Sequence, residues 1–236
     1  MPAGMPSQKP GLESRLMTTE SARVASTRPA VPVLFALGLM ALSLPAFVVR
    51  EQLYTAVTAA AGSSPALTLL AVFFADAALL LLVLFTAGLA VWSWFRDRAA
   101  FARLVLGGLG VILAYAASST LKLILTEARP CQSIHVAIAE TCPPPGDWSW
   151  PSNHSVLAAA FATACASAIV RLRWHLATVA LLIAIARVGV GAHYPHDVLF
   201  GLGLGMLVVL VVVNFLPRLV RRLPGTARIA QQAGGH

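Results

Sequence analysis

The sequence predicts an all-α, polytopic membrane protein folded as one bundle of six transmembrane helices. Hydrophobic residues make up 58% of the 236-residue chain, charged residues only 11%, and the mean hydropathy is +0.79. A soluble domain would carry about 25% charged residues. Six apolar segments each approach or exceed the ~20 residues needed to cross a bilayer as a helix. Lys and Arg punctuate these segments and do not form a stripe interleaved with aromatics, so the net charge of +8 reads as a topology signal and excludes a nucleic-acid surface.

Residues 1–28 are polar and show no apolar periodicity, which predicts a disordered cytoplasmic tail. The first span, 30–49, is long enough to stay as an anchor and is not read as a cleaved leader. Segment 51–62 sets Leu53, Tyr54 and Val57 among small polar residues, the pattern of a short helix on the outer surface. Span two, 66–95, is long enough to tilt. Its lone carboxylate, Asp76, is expected to face the bundle interior beside a polar or cationic partner.

Span three covers 100–125, and the loop 126–153 follows it. Cys131 and Cys142 both fall in that loop, where oxidising surroundings favour a disulfide over two free thiols. Trp148 and Trp150 fit an interfacial aromatic belt. Spans four to six cover 154–170, 175–192 and 198–216, which bounds the membrane domain at 29–217 and leaves 218–236 as a basic cytoplasmic tail. Gly189, Gly191, Gly201, Gly203 and Gly205 suit close helix approach in lipid.

The six spans divide the basic residues unequally. Lys9, Arg15, Arg23, Arg28, Arg96, Arg98, Arg103, Arg171, Arg173, Arg218, Arg221, Arg222 and Arg228, thirteen of the seventeen, fall on one side. By the positive-inside rule this is the cytoplasmic side and holds both termini. Arg50, Lys122, Arg129 and Arg187 fall on the other.

Three of those four outward cations belong to clusters that an apolar segment has no structural need for. The clusters are Lys122-x6-Arg129-Pro130, Pro151-Ser152-Asn153-His154 and Arg187-x5-His193-x3-Asp197. A charge at membrane depth costs roughly 2.5–3.5 kcal/mol by insertion scales, so such residues persist mainly for function. The chain has fifteen Arg and two Lys, and Lys122 is the only lysine outside the polar tail, a choice that suits a compact ammonium beside a phosphate oxygen. Arg129 lies seven residues further on, about two helical turns, so both side chains share a face if the helix persists to Pro130.

Pro151 and the polar residues after it open an apolar run, which makes a helix start with Ser152 or Asn153 as its cap. Free backbone N–H groups at such a start bind anions, and His154 sits in the same first turn. His193 and Asp197 are four residues apart, close enough for the carboxylate to hold one ring nitrogen while the other attacks. Arg187 adds a cation for the charge that develops on a phosphoryl group. The other outward carboxylates, Glu51, Asp76, Glu127, Glu140 and Asp147, lack the clustered spacing of a metal site, so no metal is expected.

These segments resemble the three signature motifs of the type 2 phosphatidic acid phosphatase superfamily of lipid phosphatases, over residues 122–197. That family's pattern is Lys-x6-Arg-Pro, Pro-Ser-Gly-His and Ser-Arg-x5-His-x3-Asp. The resemblance implies that His193, oriented by Asp197, attacks phosphorus to form a phosphohistidine. It implies that His154 protonates the leaving lipid oxygen and then activates water. It further implies that Lys122, Arg129, Ser152 and Arg187 hold the phosphoryl oxygens, with the backbone N–H of Asn153 alongside, and that no cofactor is needed.

Two positions depart from the pattern. Asn153 stands for the usual glycine and Ala186 for the usual serine, which predicts weaker phosphate binding without loss of activity. The expected substrate is a polyprenyl phosphate or diphosphate, a prenyl-linked sugar phosphate, phosphatidic acid or phosphatidylglycerophosphate, met at the outer face of the membrane. An Arg-rich, Lys-poor, Ala-rich chain suits a GC-rich bacterial genome, hence a bacterial plasma membrane and a cell-envelope prenyl phosphate first. A lipid phosphotransferase using the same phosphohistidine is the rival reading. An anion or lipid transporter is disfavoured because it needs no nucleophile. Cys165-x5-Arg171 imitates a cysteine-phosphatase signature, but inside an apolar helix its backbone N–H groups cannot wrap a phosphate.

Overall fold

The computed structural model describes residues 30–222, and every regular element among them is helical. The expected tail 1–28 lies outside the described residues, as does 223–236. Helix α1 spans Ala30–Val48 and α2 Arg50–Ala61. Helix α3, Pro65–Val72, starts where Ser64 Oγ accepts a hydrogen bond from Leu67 N, with Pro65 as first residue. It runs through a π-helical turn, Phe73–Ala77, into α4, Ala78–Arg96.

Asp97 then caps α5, Arg98–Ile124, its carboxylate accepting from Ala99 N and Ala100 N. A single turn, α6 (Pro130–Ser133), lies in the long loop, followed by α7 (Asn153–Ala168), a 3-10 turn at Val170–Leu172, α8 (Arg173–Gly189) and α9 (Pro195–Arg222).

Among the described residues, five helical stretches are long and apolar enough to cross a membrane: Ala30–Val48, Pro65–Arg96, Arg98–Ile124, Val170–Gly189 and Pro195–Leu219. The protein is therefore an integral membrane protein. The expected fourth span is the exception. Helix α7 has 16 residues, about 24 Å at 1.5 Å per residue, against a hydrocarbon core of about 30 Å. Its surroundings explain the shortness. Nine of its residues, mostly alanines, are buried, and it packs against α5, α8 and α9, so neighbouring helices supply most of its surroundings.

Small residues set these contacts. A Cβ on Gly107 would stand 2.6 Å from Ala164 Cβ, and one on Gly205 would overlap the carbonyl oxygen of Val156, so α5 and α9 both approach α7 backbone to backbone. The boundary expected after residue 217 falls inside α9, which continues through Pro217 to Arg222. A proline inside an apolar helix is tolerated where neighbouring groups satisfy the freed backbone.

Segment 50–61 does more than lie on the surface. Tyr54 and Thr58 of α2 are buried, and their hydroxyls donate to the carbonyls of Gly191 and Val188 at 3.3 and 3.1 Å. Helix α2 thus braces the α8–α9 turn, the segment that carries the histidine of the third cluster.

Candidate active site

The α8–α9 turn is built around Gly191, whose φ of +90° is left-handed and whose missing Cβ leaves room for Ile138. Past it, Ala192 N and His193 N both donate to the carbonyl of Arg187, at 3.1 and 3.2 Å. Pro195 opens α9, so His193 precedes the helix and Asp197 lies in its first turn.

His193 Nδ1 stands 3.3 Å from Asp197 Oδ2, which also accepts from Tyr194 N at 2.8 Å and from Ser149 Oγ at 2.5 Å. On the other edge of the ring, Arg129 Nη1 lies 3.3 Å from Nε2. A guanidinium can only donate, so Nε2 presents its lone pair and Nδ1 carries the proton. Burial is the largest cause holding the His193 pKa well below its usual 6.5, followed by the charges of Arg129, Arg187, Lys122 and His154. The imidazole is therefore neutral, with an unprotonated Nε2 that accepts from Arg129.

The cations converge as the clusters predict, by a different backbone path. Helix α5 ends at Ile124, and Leu125 leaves helical geometry (φ −112°, ψ 82°). Arg129 is extended, and Pro130 starts the short α6 and does not close α5. The residue before a proline disfavours helix, which breaks the expected continuous face from Lys122 to Arg129.

Lys122 Nζ donates to the carbonyl of Trp148 at 2.6 Å. Arg129 donates to the carbonyls of Asp147 and Ala192 at 3.0 and 2.9 Å, and its Nη2 pairs with Asp147 Oδ1 at 3.0 Å. Arg187 Nη1 pairs with Glu140 Oε1 at 2.9 Å and lies 3.4 Å from Asp76 Oδ1, while its Nε is buried without a partner. The expected cationic partner of Asp76 is thus Arg187. Asp76 sits in the π turn with its side chain 59% exposed, at the bundle's edge and not in its interior.

Ser152 holds the N-cap position of α7, but its side chain makes no capping bond; its oxygen accepts from Ser155 Oγ at 3.2 Å, leaving the hydroxyl proton uncommitted. Asn153 is the first helical residue, and no non-glycine residue among those described has positive φ. The glycine usual there is thus not demanded by a left-handed backbone. The Asn153 side chain accepts from Ser118 Oγ at 2.6 Å and ties α7 to α5. His154 follows, half-buried at the start of α7. Ala186 packs with Ala75, Val190 and Ala192, an apolar cluster against the π turn that gives a hydroxyl no polar neighbour within it.

Several residues at the site carry no signal in the sequence clusters. Ser149 is buried and bonds Asp197, yet reads only as a residue between two tryptophans. Glu140 and Asp147 cover the two arginines from the loop that the Cys131–Cys142 disulfide closes in part. Trp150 packs its ring on Phe200 at 4.4 Å, a tertiary contact beyond the interfacial role expected of it. Cys165 is buried inside α7 beside Thr86, consistent with its dismissal as a nucleophile.

The carboxylates expected to be scattered are also closer together than their spacing implies. Folding brings Glu127, His196 and Asp197 together, with one ligand-type atom of each within 4.8 Å of the others.

Comparison with known proteins places the chain among membrane phosphatases of one family. The sequence model of the PAP2 superfamily matches residues 103–221. The undecaprenyl-diphosphatase BcrC of Bacillus subtilis is 31% identical over 130 residues, which cover 54% of this chain and 62% of that protein. The chain thus spans less than two thirds of that relative. The lipid A 1-phosphatase of Rhizobium etli is 44% identical over 57 residues, 24% of this chain and 25% of that protein.

Among solved structures, LpxE of Aquifex aeolicus shares the fold with a TM-score of 0.57 at 23% identity, covering 71% of this chain and 96% of that one. The PAP2-type phosphatidylglycerolphosphate phosphatase of Bacillus subtilis aligns with a TM-score of 0.50 at 22% identity, covering 84% of this chain and 100% of that one.

Proposed function

This chain belongs to the PAP2 superfamily, and from that premise we propose that it is a membrane lipid phosphatase acting through a phosphohistidine, without a metal, at the extracytoplasmic face. The observation that carries the proposal is the line Asp197–His193–Arg129: a carboxylate on one ring nitrogen and a cation on the other, in a buried pocket of further cations.

In the first step a phosphoryl oxygen of the substrate displaces Arg129 from Nε2, and Arg129, Arg187, Lys122, the Ser152 hydroxyl and the Asn153 N–H receive the phosphoryl oxygens. Nε2 forms a bond to phosphorus as the bond to the lipid oxygen breaks. His154 gives its proton to that leaving oxygen. In the second step water loses a proton to His154 and attacks phosphorus, the N–P bond breaks, and inorganic phosphate leaves with His193 restored. The cations act on charge that grows in each transition state, where one such contact is worth roughly 10²–10³ in rate.

The favoured substrate is a polyprenyl diphosphate, because the relative with that activity in its name aligns over 130 residues, against 57 for the lipid A 1-phosphatase. Lipid A-type 1-phosphates, phosphatidic acid and phosphatidylglycerophosphate are the other members of the class. The outward-facing site is supported by the thirteen basic residues assigned to the opposite end of the spans.

The test is phosphate release by the purified protein in detergent, across these lipids and in the presence of a chelator, with His193→Ala alongside. Chelator-resistant turnover abolished in the variant is expected, as is a phosphoenzyme trapped by rapid acid quench. Undiminished turnover in His193→Ala would overturn the assignment. Label passed to an added lipid or sugar acceptor, in place of stoichiometric free phosphate, would identify the phosphotransferase.

A further inference from the structure

Asp197 has a second oxygen whose surroundings the scheme above does not use. Oδ2 is saturated by Ser149 Oγ, Tyr194 N and the approach of His193. Oδ1 is buried, has no hydrogen bond, and stands 3.0 Å from Nε2 of His196. The same nitrogen lies 2.9 Å from Oε2 of Glu127, whose other oxygen is 3.9 Å from Arg50 Nε. One imidazole nitrogen therefore sits between two carboxylates.

We propose that His196, held by Glu127, is a positioning residue for the nucleophile: its Nε2–H, bonded to Glu127, sets its positive end 3.0 Å from the free oxygen of Asp197 and so holds in place the carboxylate that orients His193. The proposal rests on His193 being the nucleophile.

The tautomer follows from the geometry. A lone pair on Nε2 would face two carboxylate oxygens and be repelled by both, so Nε2 carries the proton. Its bond runs to Glu127, and the positive end of the N–H lies beside Asp197 Oδ1. The ring itself is immobilised. It is stacked on Tyr194 with centroids 5.6 Å apart and meets Phe47 edge-on at 5.0 Å. Nδ1 is buried without a partner.

That orphan nitrogen also separates this reading from a metal bound by Glu127, His196 and Asp197. A metal on Nε2 would move the proton to Nδ1, where no acceptor waits, whereas metal-bound histidines normally donate that proton to a carboxylate, carbonyl or water. The arrangement gives Asp197 two independent supports, Ser149 on Oδ2 and His196 on Oδ1. The carboxylate cannot swing away when the His193 ring becomes cationic on phosphorylation.

The experiment compares His196→Leu, His196→Gln, Glu127→Ala and His193→Ala in the intact protein, with detergent-solution melting temperature as a folding check. His196→Leu is expected to lower kcat by roughly 10- to 100-fold, the range seen when a group behind a contacting residue is removed. KM should stay within about twofold, because His196 does not contact the phosphate, and single-turnover phosphoenzyme formation should slow by the same factor as kcat. His196→Gln, which retains a side-chain N–H, should recover most of that loss, and Glu127→Ala should fall between the two.

Unchanged kcat in a folded His196→Leu, or a His196→Gln as slow as His196→Leu, overturns the proposal. So does wild-type turnover that a chelator abolishes and added zinc restores only while His196 is present. If His193→Ala retains turnover, the phosphohistidine reading itself has failed; if it is inactive while His196→Leu is normal, only the positioning role has failed.

Discussion

Arg129 Nη1 stands 3.3 Å from Nε2 of His193, on the ring edge opposite Asp197. The guanidinium thus selects the tautomer, and in the proposed mechanism it then transfers its hydrogen bonds to a phosphoryl oxygen. Arg129→Gln keeps a donor but loses the charge, and Arg129→Lys keeps the charge but loses the fork that also holds Ala192 and Asp147. Both substitutions are expected to lower kcat by roughly 10²–10³, as for loss of one preorganised electrostatic contact. A steady-state assay at saturating lipid checks this; a loss confined to KM would assign Arg129 to ground-state binding alone.

Ser149 is expected to matter although it lies outside the three clusters. It is fully buried and donates to Asp197 Oδ2 at 2.5 Å. In Ser149→Ala the carboxylate loses a charge-assisted bond, worth about 1.5–3 kcal/mol where the acceptor is charged. The expected result is a fall in kcat of roughly tenfold or more with a folded, monodisperse protein. Full activity in this variant would mean that Tyr194 N, His193 and His196 suffice to hold the carboxylate.

Glu140 and Asp147 stand where an anion would be expected, on Arg187 and Arg129. A phosphorylated substrate must displace them. Removing their charge in Glu140→Gln and Asp147→Asn should therefore tighten binding of inorganic phosphate as a product inhibitor, lowering its inhibition constant by a few-fold per site. Both pairs are partly exposed, with Asp147 at 48% and Glu140 at 24%, so the effect should be modest and shrink with added salt. Weaker phosphate binding in either variant would show that these carboxylates orient the arginines for substrate and do not compete with it.

Much of this site is legible in the chain because its charges stand against an apolar background. Lys122, Arg129, Arg187, His193 and Asp197 mark themselves by being costly where they lie. Glu140, Asp147 and Ser149 do not, since polar residues in a loop are ordinary and only tertiary folding places them on the arginines and Asp197. Of the six expected spans only the fourth falls short of a crossing length, for a related reason. Helix α7 is as apolar as a span, but hydropathy does not reveal whether alanines meet lipid or other helices; the small residues of α5 and α9 decided that. Nor could spacing reveal the extended segment 125–129, because a break at Leu125 leaves the seven-residue interval between Lys122 and Arg129 unchanged.

The Cys131–Cys142 bridge closes a short loop, with a sequence separation of 11, just ahead of which Arg129 enters the site. Ala139 N and Glu140 N approach the carbonyl of Val190 at 3.3 and 3.4 Å, so the same loop rests on the turn that carries His193. A loop of this size contributes about 3 kcal/mol in the chain-entropy account. Reduction, or Cys131→Ser with Cys142→Ser, is expected to lower the melting temperature and expose 131–142 to proteolysis. An unchanged cleavage pattern would show that the contacts to Val190 hold the loop without the bridge.

The expected pH dependence follows from the burial of His193, the proposed nucleophile. Burial, then the charges of Arg129, Arg187 and Lys122, push the His193 pKa well below 6.5, which means the neutral, attacking form persists into acid. Lowered proton affinity moves the acid limb of kcat/KM downward, and activity is lost only as pH falls through that depressed value. Arg129→Gln removes the largest of the neighbouring charges, so the acid limb in this variant should shift up toward 6.5, on top of its lower plateau. A full pH–rate profile of both proteins, with a single fully soluble substrate, measures this. An acid limb that stayed at one pH in wild type and variant would mean that His193 is not the group being titrated.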